Sequence, residues 1–205
     1  MSQDYDSVLF DFDGVLADTE PIHWSCWVDT LAPLSIELPW ETYCANCIGV
    51  ADRDMVLFLA SLATRPVEVE SLRPHYEIKK DLFRRRIHEA NPCSDDTVAL
   101  IRSLGDYRLA VVTSSGRLEV EPVLDRAGIR PYLQAVVFGE DVQRHKPAAD
   151  PYLLAAARLG ALRPLVVEDS AAGVASAQAA GFDVVRVASP ADVAGAVRAR
   201  LKGRP

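Results

Sequence analysis

Two aspartates, Asp11 and Asp13, stand at the end of the apolar run Val8-Leu9-Phe10, and Gly14 follows at once. The run reads as a short buried strand, and the glycine lets the chain turn where that strand ends. Carboxylates at the open end of an inner strand are costly to bury, so they require a cation or a shared proton. Further along, Thr113 and Ser114 end the run Leu109–Val112, Lys146 lies in the loop after Ala135–Phe138, and Glu168 and Asp169 end Leu165–Val167. Taken singly, Thr113-Ser114 reads as a helix cap, Lys146 as a surface lysine, and Glu168-Asp169 as a loop. Together they share one property: each falls at or just past the carboxyl end of an expected strand.

Carboxylates such as Asp11 and Asp169, with a main-chain carbonyl, make a hard oxygen site suited to Mg2+. The hydroxyls of Thr113-Ser114, amides at the start of the following helix, and the Lys146 ammonium suit a phosphate. Beside both, Asp11 could attack phosphorus and carry the phosphoryl group as an acyl phosphate. Asp13, two positions on, could protonate the leaving oxygen and later activate water.

The elements that must position these residues follow from punctuation and periodicity. From Pro21 to Ala90 no strand pattern occurs. Helices are expected over Glu20–Leu31, Trp40–Cys47, Met55–Leu62 (capped by Asp52) and Val67–Ile87, with breaks at Pro33, Pro39 and Gly49. From Asn91 onward strands alternate with single helices. Ser94 caps a helix to Leu104, and Asp150-Pro151 caps and opens another that Gly160 stops. Helices over Arg117–Ala127, Ala171–Ala180 and Asp192–Leu201 and a strand over Asp183–Val187 complete the pattern. The expectation is an α/β fold, a doubly wound parallel sheet (residues 1–17 and 91–205) with an inserted all-helical domain (18–90). In such sheets ligands bind outside the carboxyl ends of the strands, where the strand order reverses.

Composition narrows the partners. The chain has 205 residues, 49% hydrophobic and 25% charged, which is ordinary globular usage. A net charge of -7 argues against nucleic acid and obliges an anionic substrate to find a local cation. No apolar run approaches a membrane span, and the opening MSQDYDS carries acids with no apolar segment. The expectation is a cytoplasmic monomer or weak dimer that binds neither membrane nor nucleic acid. Of the cysteines Cys26, Cys44, Cys47 and Cys93, the pair Cys44-x-x-Cys47 has no second pair at metal-ligand spacing. All four read as reduced, small core residues.

DFDGVLADTEP (Asp11–Pro21), VVTSS (Val111–Ser115), Lys146-Pro147 and VVEDSAAGVASAQAAG (Val166–Gly181) match, in order and spacing, the four motifs of a known family. The chain resembles the haloacid-dehalogenase-like superfamily, in the branch with a small helical cap after the first motif, where phosphoglycolate phosphatases and β-phosphoglucomutases belong. The resemblance implies Asp11 as nucleophile and Asp13 as general acid and base, with the Asp13 carbonyl on Mg2+. It implies Thr113 and Lys146 on the phosphoryl group, Asp169 on the metal, and Glu168 as a ligand or its supporting neighbour. The insert would be a lid that closes over a small phosphorylated metabolite.

Dehalogenase and phosphonate-cleaving members lack the acid two positions after the nucleophile, so Asp13 points to phosphate monoester hydrolysis. The alternative is a sugar-phosphate mutase: His23, Trp27 and Gly49-Val50 resemble that subgroup, with Arg53, Lys79 and Lys80 as cations for a second phosphate. Arg53 is offset from the mutase arginine, and His23 reads equally as a helix-face residue near the cap hinge. A non-catalytic phosphometabolite sensor is a third reading, which the complete motif set disfavours.

Overall fold

The computed structural model describes residues 5–48 and 52–202. Thr19–Ala90 form one compact unit, and the chain up to Asp18 and from Asn91 forms the other.

In the second of these, the described strands are β1 (Ser7–Phe10), β2 (Arg108–Val112), β3 (Ala135–Val137), β4 (Pro164–Glu168) and β5 (Asp183–Arg186). All pair in parallel, in the order β3-β2-β1-β4-β5. The chain winds outward from β1 to β3, then crosses back to β4 on the other side of β1. That reversal places the switch point beside the central strand. Each inner strand is short, largely apolar and buried on both faces, as a parallel sheet requires. Leu9, Ala110, Val112 and Val166 pack with Tyr152, Ala155 and Leu159 of α7 (Asp150–Leu159) and Ala177 of α8 (Ala171–Ala179). Val8, Phe10, Val111 and Val167, which alternate with them, are buried as well. Two further helices, α5 (Asp95–Ser103) and α9 (Pro190–Leu201), pack on each other. The remaining α-helix among the described residues of this unit is α6 (Arg117–Arg126).

Ser94 caps α5 as its sequence position implies, its Oγ accepting from the Thr97 amide at 3.1 Å. Asp150 does not cap α7. It is the first helical residue, Ala149 precedes it without a side-chain cap, and the Asp150 carboxylate pairs with Arg144 at 3.0 Å. The last helix starts at Pro190 rather than Asp192, because proline in the first turn satisfies the helix as well as a polar cap would.

The all-helical unit contains α1 (Glu20–Leu31), α2 (Trp40–Asn46), α3 (Asp52–Ser61) and α4 (Val69–Glu89). Its own core gathers Trp27, Leu31, Ile36, Tyr43, Cys47, Leu59 and Leu72. Cys47 is buried and its pair Cys44 half-buried; all four cysteines are free thiols. Arg86 of α4 clamps α1 through Asp29 and the Ser25 hydroxyl, the latter at 2.8 Å. No described helix is long and apolar enough to cross a membrane.

Candidate active site

The turn after β1 is built before any side chain acts. The Phe12 carbonyl accepts from the amides of Val15, Leu16 and Ala17, and the Gly14 amide donates to the Ala17 carbonyl at 2.9 Å. Gly14 holds φ at +74°, and a Cβ there would collide with the Asp169 carboxylate. Glycine is therefore required both by the backbone and by the neighbouring acid.

Asp11 continues β1, its amide donating to the Val167 carbonyl at 2.9 Å. Its carboxylate is buried and meets Lys146 Nζ at 2.6 Å through Oδ1. The same ammonium donates to Glu168 Oε1 at 2.6 Å and to the Val112 carbonyl at 3.0 Å. All three ammonium protons are thus committed to acceptors at the ends of β1, β2 and β4. Lys146 itself comes from the loop after β3, on the residue before a cis Pro147. Glu168, Asp11 and Asp169 can each bring one oxygen within 4.8 Å of the others.

Thr113 is buried; its amide donates to the Val137 carbonyl at 2.9 Å, and its hydroxyl accepts from the Ser115 amide at 2.9 Å. The Thr113 hydroxyl stands 3.5 Å from Asp13 Oδ2, whereas the Ser115 hydroxyl donates to that oxygen at 2.7 Å. Ser114 is exposed. Of the two serines, Ser115 is therefore the one that engages Asp13. Thr113 and Ser115, two positions apart, both lie within reach of Asp13 Oδ2.

Asp11, Asp13, Thr113, Lys146, Glu168 and Asp169 accordingly meet at one rim of the sheet. His23, Lys79, Lys80 and Arg53 belong to the all-helical unit. His23 stacks on Phe83 at 3.9 Å, with its Nδ1 2.7 Å from Lys79 Nζ. Burial, and then the Lys79 charge, hold its imidazole well below the ordinary histidine range. Lys80 lies over the Tyr76 ring at 4.3 Å. Gly49, Val50 and the Arg53 side chain lie outside the described residues.

Tyr152 of α7 has no counterpart among the residues singled out from sequence. It is fully buried, donates its hydroxyl to Glu168 Oε1 at 2.8 Å, and carries Lys146 Nζ 5.0 Å from its ring centre. Its spacing in α7 is that of a core residue. The available hint is that a tyrosine at a core position must find a partner for its hydroxyl.

The charges do not balance: one lysine stands among four acids, Asp11, Asp13, Glu168 and Asp169. Burial pushes the Asp11 carboxyl well above the usual carboxylate range, and Glu168 and Asp13 add to that push against the pull of Lys146. Burial likewise raises Asp169, to about 6, with Glu168 contributing. Burial would raise Glu168 too, but Lys146 and the donors around the carboxylate hold it below its ordinary value. Burial works against the Lys146 charge, yet Asp11 and Glu168 outweigh it and raise the ammonium. Glu168 and Lys146 therefore form the favoured ion pair, while burial makes the charged forms of Asp11 and Asp169 costly in the absence of another cation. An all-oxygen donor set with surplus negative charge fits a hard divalent ion.

The class this fold and site belong to is that of parallel α/β proteins with a buried aspartate–lysine cluster at the carboxyl ends of the strands. The chain belongs to the haloacid dehalogenase-like hydrolases, whose family model matches residues 8–187. It is 30% identical to a fructose-1-phosphate phosphatase of Escherichia coli, over 91% of this chain and 98% of that protein. It is also 30% identical to a phosphorylated carbohydrates phosphatase of Thermotoga maritima, covering 87% of this chain and 82% of the relative. The crystal structure of CbbY from Rhodobacter sphaeroides in complex with phosphate superposes with a TM-score of 0.70 at 25% identity, over 88% of this chain and 84% of that one. The enzyme class of this chain is that of the phosphoric monoester hydrolases.

Proposed function

We propose that the protein is a Mg2+-dependent phosphatase of small phosphorylated metabolites, phosphorylated sugars foremost, working through an aspartyl-phosphate on Asp11. The observation that carries this reading is the contact of Asp11 with Lys146 at 2.6 Å within the Asp11–Glu168–Asp169 cluster. The likeness to phosphatases of E. coli and T. maritima supports the substrate class.

Asp11 and Asp169, with the main-chain carbonyl of Asp13, would hold the cation, and Glu168 adds its charge beside them. When bound, Mg2+ neutralises the surplus acid charge and offsets the charge of the substrate phosphate. The Asp11 carboxylate attacks phosphorus, and the bond to the ester oxygen breaks. Asp13, held by Ser115, gives its proton to the leaving alkoxide. Deprotonated Asp13 then takes a proton from water, whose oxygen attacks phosphorus and releases inorganic phosphate and free Asp11. Thr113 and Ser114, at the start of the same loop, offer their hydroxyls, with the Ser114 amide, to the phosphoryl oxygens. Lys146, whose donors are all committed, reaches the phosphoryl group by exchanging its Asp11 contact for a phosphoryl oxygen. The residues of the all-helical unit, His23 and Arg53 among them, are the candidates for selecting the rest of the substrate.

The test is phosphate release from phosphoglycolate, hexose phosphates, glycerol phosphate and nucleotides, with Mg2+ and with EDTA. The expected result is metal-dependent release, fastest with a sugar phosphate. Conversion of β-glucose 1-phosphate to glucose 6-phosphate without release would replace this reading by the mutase.

A further inference from the structure

We propose that Tyr152 is a positioning residue for phosphoryl transfer: its hydroxyl completes the donor shell of Glu168, making Glu168 the orienting arm of Lys146 rather than a ligand of the cation. The inference rests on the phosphatase reading given above and deepens it.

Glu168 is fully buried, so no solvent shares its oxygens. Oε1 accepts from Lys146 Nζ at 2.6 Å and from the Tyr152 hydroxyl at 2.8 Å. Oε2 accepts from the amides of Asp169 and Ser170 at 3.0 and 3.1 Å, and from the Ser170 hydroxyl at 3.1 Å. A carboxylate offers about four lone-pair directions, and these donors occupy them all. A cation could take an oxygen of Glu168 only by displacing one of them.

The receptacle for this carboxylate is built from fixed parts. The Ser170 hydroxyl is itself held, accepting from the Gly173 amide at 3.0 Å. Gly173 leaves the space that the carboxyl fills, since a Cβ there would collide with it. Tyr152 closes the remaining side from α7 and is anchored in the core with Ala155 and Leu159. With Glu168 immobile, Lys146 has two fixed acceptors, Glu168 Oε1 and the Val112 carbonyl. Its third proton then points at Asp11, the atom group at which the phosphorus bond forms. Small displacements of such a group are costly to rate and cheap in substrate affinity.

The test is Tyr152→Phe, which removes the hydroxyl and keeps the ring beside Lys146. Steady-state kinetics on the best substrate of the panel, thermal unfolding, and the side-chain ammonium 15N–1H signal of Lys146 in the metal-free protein are compared with the unaltered enzyme. The expected result is kcat lower by about threefold to tenfold, KM within about twofold, and an Lys146 signal that shifts or broadens. Unchanged kcat and an unchanged Lys146 signal in a folded variant would reduce Tyr152 to core packing and overturn the proposal. Mg2+ binding by calorimetry to Glu168→Gln is the second arm. Affinity within about threefold is expected, whereas a loss beyond about tenfold would make Glu168 a ligand and overturn the proposal. Should Tyr152→Phe not fold, 3-fluorotyrosine at position 152 changes the acidity of the hydroxyl with little change of shape. A shifted Lys146 signal and altered kcat would then support the role, and identity on both would overturn it. If the unaltered enzyme releases phosphate from no ester, the phosphatase reading fails while the ammonium signal still decides whether Tyr152 orients Lys146.

Discussion

Lys146 donates to Asp11, Glu168 and the Val112 carbonyl, and that geometry sets what substitution at each acid should do. Asp11→Asn keeps the shape and removes the nucleophile, so phosphate release should fall to background with the thermal transition retained. Residual turnover at a substantial fraction of the original would exclude Asp11 as nucleophile. Asp13→Asn should lower kcat by about a hundredfold or more with little change in KM, because proton transfer belongs to the transition state. A change confined to KM would contradict that role. The acids also imply a pH dependence. Asp169 has its folded pKa raised to about 6 from an ordinary 3.8. Its contribution to stability in the metal-free protein is fully present below about pH 4 and is lost as pH rises through about 6. A divalent cation needs the ionised carboxylate, so it competes with that proton. Calorimetry should find Mg2+ bound at least about tenfold more weakly at pH 5 than at pH 7.5, and equal affinity at both would remove Asp169 from the cation site.

At the scale of the element, the site depends on the turn after β1, which tolerates no side chain at Gly14. Gly14→Ala meets both a positive φ and the Asp169 carboxylate. It should cost about 1–2 kcal/mol of stability from the backbone alone and also depress activity. Ser94→Ala is the contrasting case. It removes the cap of α5 and should cost about 1 kcal/mol while leaving kcat unchanged. Melting curves and turnover for the pair separate the two kinds of turn: equal retention of activity by both variants would show that the β1 turn does not govern the site.

For the whole molecule, the all-helical unit and the sheet unit have separate apolar cores. All three tryptophans, Trp24, Trp27 and Trp40, lie in the all-helical unit, whereas the acids of the proposed cation site lie in the sheet unit. A ligand that binds only the folded state raises the stability of the unit that holds it. Saturating Mg2+ should therefore move the circular-dichroism transition of the sheet upward and shift the tryptophan-fluorescence transition less. Coincident shifts by both probes would show that the units unfold as one.

The sequence by itself determined which residue types stand at each strand end. Short apolar runs closed by Asp11, Thr113 and Glu168-Asp169 can be read without coordinates, because strand burial and turn formation are local properties of adjacent residues. The helical character of the described segments between Glu20 and Glu89 was legible for the same reason, as was the cap at Ser94. What the tertiary structure decided is which groups meet. The order of the strands brings the ends of β2 and β4 to either side of Asp11, so that one ammonium spans all of them. Asp150 left its expected cap for Arg144, and Ser115, which had no expected role, took Asp13, because alternative hydrogen-bond partners differ little in local energy and packing selects among them. Tyr152 is the clearest instance. Its place in the helical pattern is that of any core residue, and only the packing of α7 against the sheet brings its hydroxyl to Glu168.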